Sequence, residues 1–81
     1  MTEVFDGKQL RDVINETLDR EGISEKKLSE MTGVTESHLK FLLEGQPQRL
    51  PPSPYVRGYL IRIAQFLDLD RDSLWELYKN E

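Results

Sequence analysis

Residues 28–39, Leu-Ser-Glu-Met-Thr-Gly-Val-Thr-Glu-Ser-His-Leu, decide the fold. Gly33 supplies the left-handed residue that ends one helix. Thr35 is a natural N-cap for the next. Val34 lies between them as an apolar plug for the turn. Ser29 is small enough to let the two helices approach closely, and Leu39 locks them together. The spacing predicts one helix over residues 25–32 and another over 36–44, with Ser24 capping the first and Gly45 stopping the second. Leu28 and Met31 are expected to face inward, flanked by Ile23 and Val34, and Leu39, Leu42 and Leu43 share a side.

Outward from this pair the pattern stays helical. Leu10, Val13, Ile14, Thr17 and Leu18 recur at helical spacing, which predicts a first helix over residues 7–21, capped by Asp6 and stopped by Gly22. Pro47, Pro51 and Pro52 forbid a helix after Gly45, and Leu50 is the side chain able to pin that loop to the core. A fourth helix is expected over residues 54–67, with Pro54 in the first helical position. Val56, Leu60, Ile63, Ala64 and Leu67 form its buried face. A fifth opens at Asp70, with Asp72 in its first turn and Leu74, Leu77 and Tyr78 closing the core. The expectation is a single all-α domain over residues 1–81, ordered from about residue 7 to 79, with five helices and no strand.

Ser29, Gly33 and Leu39 stand at the spacing of the helix-turn-helix in the lambda-repressor-like family, which the chain resembles. In that family the start of the third helix enters the DNA major groove. Here those positions are Glu36, Ser37, His38, Lys40 and Phe41. Base and phosphate contacts favour Arg, Lys, Asn and Gln. This helix offers one lysine against Glu36 and Glu44, and Phe41 is apolar where a polar side chain is expected. A pI near 5.0 also lacks the basic footprint of a nucleic-acid binder. A sequence-specific DNA-binding regulator nevertheless stays open as the alternative function, because a dimer can bind through local positive charge.

Charge is distributed unevenly. Residues 1–45 carry ten acids against six bases, whereas no acid lies between Glu44 and Asp68, a gap that holds Arg49, Arg57 and Arg62. An acidic partner is expected to meet that stretch. Nothing points to catalysis. The chain has no cysteine and one histidine, His38, and Ser24, Ser29 and Ser37 read as caps or spacers. Asp68, Asp70 and Asp72 lack the glycine and the terminal glutamate of a calcium loop. The reading is therefore of a non-enzyme with neither metal nor cofactor. The absence of a ~20-residue apolar run and of a signal-peptide layout points to a cytoplasmic segment.

The fourth helix carries a second stripe beside its core face: Tyr55, Tyr59, Arg62 and Phe66, at i, i+4, i+7 and i+11. Gly58 lies next to the tyrosines. A glycine inside a helix costs ~1 kcal/mol relative to alanine, so it calls for a reason. Close packing against another helix is one; a flat platform that opens the tyrosines to a partner is the other. The stripe itself reads either as extra core or as an interface.

Residues 50–60, Leu-Pro-Pro-Ser-Pro-Tyr-Val-Arg-Gly-Tyr-Leu, following the turn motif of residues 28–45, resemble the N-terminal cytoplasmic domain of the RodZ family of bacterial cell-shape proteins. The resemblance covers about residues 7–79. It departs from the family at Ile61-Arg62, where a basic then a small residue is common, and at Ile63, where tyrosine is common. It implies a helix-turn-helix turned to protein binding, which docks the bacterial actin MreB through the fourth helix. The family's two aromatics fall on Tyr55 and Tyr59 and its Arg-Gly pair on Arg57 and Gly58. Arg62 is included among the contacts, and Arg49, Lys40 and Phe66 are secondary candidates. Both tyrosines are expected to be partly exposed and to respond alike to truncation. The family's placement is at the inner face of the membrane, within a single-pass protein. Its membrane helix lies outside these 81 residues, so the chain is expected to be an excised domain or to come from a shorter parent.

Overall fold

Each helix is bounded by local chemistry. In the computed structural model, which describes residues 9–45 and 49–79, α1 spans Leu10–Glu21, α2 Glu25–Thr32, α3 Glu36–Leu43, α4 Ser53–Leu67 and α5 Arg71–Lys79. These are the five α-helices among the described residues, and no strand accompanies them. The Ser24 hydroxyl accepts the Lys27 N–H at 3.1 Å, and Thr35 accepts the His38 N–H at 3.3 Å, so both central helices start on a side-chain cap. Gly33 ends α2 at φ 78°, a conformation that would strain any residue with a Cβ.

The turn between α2 and α3 is clamped by hydroxyls. Ser29 donates to the Val34 carbonyl, so its role goes beyond small size. Thr32 donates to the Leu28 carbonyl at 2.7 Å and accepts the Val34 N–H at 3.3 Å. Val34, Leu28 and Leu39 are buried beneath this clamp.

The core runs through all five helices: Leu10, Val13, Ile14 and Leu18 of α1, Leu28 of α2, Leu39, Leu42 and Leu43 of α3, Val56, Leu60, Ile63, Ala64 and Leu67 of α4, and Leu74 of α5, with Val34 between α2 and α3. Complete burial of each Val, Leu or Ile side chain among them contributes ~1.5–3 kcal/mol. The helices α1 and α3 pack together, α2 lies on both α3 and α4, α5 lies on α4, and α1 also meets α5. The Asn15 amide donates to the Leu43 carbonyl at 3.4 Å and ties α1 to the end of α3. Among the described residues no helix is long and apolar enough to cross a membrane.

Several boundaries and three core expectations, at Met31, Leu77 and Tyr78, differ from the sequence reading. Residue Gln9 is extended and precedes α1, its N–H donating to the Asp12 carboxylate at 3.2 Å; the helix therefore begins at Leu10 rather than residue 7. Asp6 and Pro47 lie outside the described residues. The helix α3 closes at Leu43, one residue early, before Gly45 at φ 72°. The helix α4 begins at Ser53, which puts Pro54 second. Met31 faces solvent, 53 % exposed. The buried side of α2 turns instead towards Thr32, whose hydroxyl is satisfied within its own helix and so can be buried at little cost. Leu77 is half-buried against the core rather than enclosed in it, as is Tyr78.

Candidate protein-interaction face

The register of α4 fixes where its candidate side chains point. Val56, Leu60, Ile63, Ala64 and Leu67 define the inward face. At about 100° per residue, Tyr59, Phe66, Tyr55 and Arg62 fan out on one flank, in that order away from the core, while Arg57 and Ile61 lie on the other flank. The observed exposures follow the fan. Tyr59 and Phe66 are half-buried and packed against the core, and Arg62 is exposed. Tyr55, on the first turn, is 64 % exposed.

The two tyrosines are therefore not equivalent. The Tyr59 hydroxyl and His38 Nδ1 share a hydrogen bond at 2.9 Å, and their rings lie 5.6 Å apart. This contact joins α4 to the first turn of α3. Tyr55 has no such anchor among the described residues. Gly58 resolves one of the two explanations left by the sequence. A Cβ built at this position meets nothing within 4 Å, so close packing against another helix does not account for the glycine. It leaves a flat strip beside Tyr55. Arg62 reaches back over the turn, with one guanidinium nitrogen 3.4 Å from where a Cβ on Gly33 would stand.

The five principal candidates do not share one surface. Tyr55, Tyr59 and Arg62 occupy the flank towards α2 and α3, with Gly58 at its outer edge. Arg57 leaves on the opposite flank and stacks over Trp75 of α5, its guanidinium carbon 5.6 Å from the ring centroid. Their adjacency in sequence concealed this, because Tyr55 and Arg57, two residues apart, point roughly 160° away from each other on a helix. Of the secondary candidates, Phe66 stays on the tyrosine flank, Lys40 is exposed on α3, and Arg49 stacks over Phe41 at 5.8 Å.

The residues expected to face DNA are partly committed elsewhere. Glu36 and Ser37 are exposed at the start of α3, with Lys40 exposed a turn later. His38 is held by Tyr59, and Phe41 is half-buried beneath Arg49. Neither the His38–Tyr59 pair nor Trp75 beside Arg57 is legible in the sequence. The partners of the first are 21 residues apart, and both pairings depend on how helices meet rather than on any local pattern.

A family model described as a helix-turn-helix domain matches residues 19–74, from the last turn of α1 into α5. Neither a curated protein nor a solved structure matches the chain.

Proposed function

The chain belongs to the helix-turn-helix domain family, and we propose that the fold serves here as a non-enzymatic adaptor that binds a protein filament, the bacterial actin MreB, at the inner face of the membrane. Tyr55 is the anchor, Tyr59 and Arg62 extend the contact, and Gly58 leaves room for the partner's backbone. The observation that carries this reading is the pairing of a tyrosine 64 % exposed with a neighbouring helical glycine whose Cβ would touch nothing. An exposed tyrosine offers large contact area at low entropic cost, and such residues are frequent hot spots. Residues 45–67, which include all of α4, hold no acid, and this stretch complements an acidic surface. The resemblance to the RodZ family supplies the identity of the filament.

DNA reading through α3 has less in its favour. Its first residue is the exposed Glu36, and His38 is engaged by Tyr59. Co-sedimentation with purified MreB filaments tests the proposal, run beside a fluorescence-anisotropy titration against genomic DNA fragments. The parent chain is expected to pellet with filaments. Tyr55→Ala is expected to lose ≥ ~2 kcal/mol of binding, with an unchanged melting transition. Absence of parental pelleting, or undiminished pelleting of Tyr55→Ala, refutes the proposal. A sequence-selective DNA complex at physiological salt moves the function to α3.

A further inference from the structure

The flank of α4 that faces away from the tyrosines forms a second site with α5. Asp68 ends α4 in the left-handed conformation at φ 58°, and the Leu69 N–H donates to the Ala64 carbonyl at 2.8 Å. The chain then turns into α5, which lies along α4. The result is a groove lined by Arg57, Leu60, Ile61, Arg71, Asp72 and Trp75. Leu60 is its buried floor, and Ile61 and Trp75 are half-buried walls. The Trp75 ring stacks on Tyr78 at 5.6 Å and 22°, and carries Arg57 over its face. Among the described residues neither Arg57 nor Arg71 forms an ion pair.

Two unpaired guanidiniums beside an indole, in a chain of net charge −4, select their ligand by chemistry. Arginine binds carboxylate in a planar, bidentate geometry, and tryptophan rewards an apolar side chain laid on its face. Asp72 narrows the choice further. Its carboxylate repels any anion set against it and needs a donor, and a phosphate or a nucleic-acid backbone has only acceptors to offer. A peptide brings N–H donors that it can accept. The geometry points to a docking site for an acidic protein segment, with an aliphatic or aromatic side chain seated on Ile61 and Trp75 and carboxylates on Arg57 and Arg71. The site is independent of the tyrosine face, since the two lie on opposite flanks of α4.

Trp75 is the single tryptophan of the chain, so its fluorescence reports on the groove directly. The probes are the capped peptide Glu-Asp-Leu-Phe-Glu-Asp, its uncharged counterpart Gln-Asn-Leu-Phe-Gln-Asn, inorganic phosphate and a short DNA duplex. The acidic peptide is expected to give a saturable change that weakens with salt. Arg57→Gln and Arg71→Gln are each expected to weaken it about tenfold, since each removes a charge-assisted contact, while both variants melt as the parent does. Tyr55→Ala is expected to bind the peptide as the parent does, which separates this site from the filament-binding one. No saturable response to the acidic peptide overturns the proposal. So does equal binding of the uncharged peptide, an equal response to phosphate or DNA, or loss of peptide binding in Tyr55→Ala.

Discussion

His38 on the first turn of α3 and Tyr59 in the middle of α4 are joined by a 2.9 Å hydrogen bond between Nδ1 and the phenol oxygen. The helix that reads bases in DNA-binding helix-turn-helix proteins is thus fastened here through one of its own leading side chains to the helix that carries the aromatic stripe.

That bond separates two substitutions at one position. Tyr59→Phe keeps the ring against the core and removes the hydroxyl. It is expected to cost ~0.5–1.5 kcal/mol in urea unfolding. Tyr59→Ala also removes the packed ring and is expected to cost more, about 2–4 kcal/mol, with a lower midpoint. Equal stability of the two variants would show that the ring contributes no packing. Tyr59 therefore cannot report on binding as cleanly as Tyr55 does.

Gly58→Ala is expected to raise stability by ~0.5–1 kcal/mol, because alanine is the better helix former and its methyl group meets no neighbour. The same methyl projects into the strip beside Tyr55. Filament co-sedimentation is therefore expected to fall as the melting temperature rises. A stabilised variant that binds undiminished would show that the glycine serves no partner.

Leu39→Ala is expected to cost ~2–5 kcal/mol, a large share of the stability of a domain this small. Leu39 is fully buried beneath the Ser29–Val34 clamp, where the backbone has little freedom to close a cavity. Chemical unfolding measures this loss. A cost under 1 kcal/mol would mean that the turn collapses onto the gap.

Glu36→Lys together with Glu44→Lys reverses the charge at both ends of α3. The parent chain is expected to bind no DNA sequence-specifically at physiological salt. The double variant is expected to gain only weak, salt-sensitive, sequence-independent binding. Anisotropy titrations at two salt concentrations check this. A sequence-selective complex formed by either protein would show that α3 retains base readout.

Much of the fold was legible because helix ends announce themselves locally. Ser24 and Gly33 bracket α2, and both bounds fall where the caps place them. The start of α1 was less so, since Gln9 and Asp12 form a reciprocal arrangement that is easily outranked by an aspartate upstream. Met31 was misjudged because hydropathy ranks methionine above threonine. Thr32 reverses that order by donating to the Leu28 carbonyl, which removes most of the penalty for burying its hydroxyl. Within the candidate site, partial exposure of the two tyrosines could be read from angular position, though not the difference between them. The divergence of Arg57 from the tyrosine flank follows from the same spacing, but the His38 anchor and the Trp75 ring that Arg57 meets could not be read from it. Each depends on the angle at which α4 meets another helix, and no residue spacing encodes that angle.

The division of α4 into two flanks has a mechanical consequence. Tyr55 and Arg57 project from one turn of a continuous helix, with no loop or hinge between them. A helix and its side chains are only about 10–12 Å across. A load entering at one flank therefore reaches the other across a single stiff strut, and bodies gripping the two sides move together without slack.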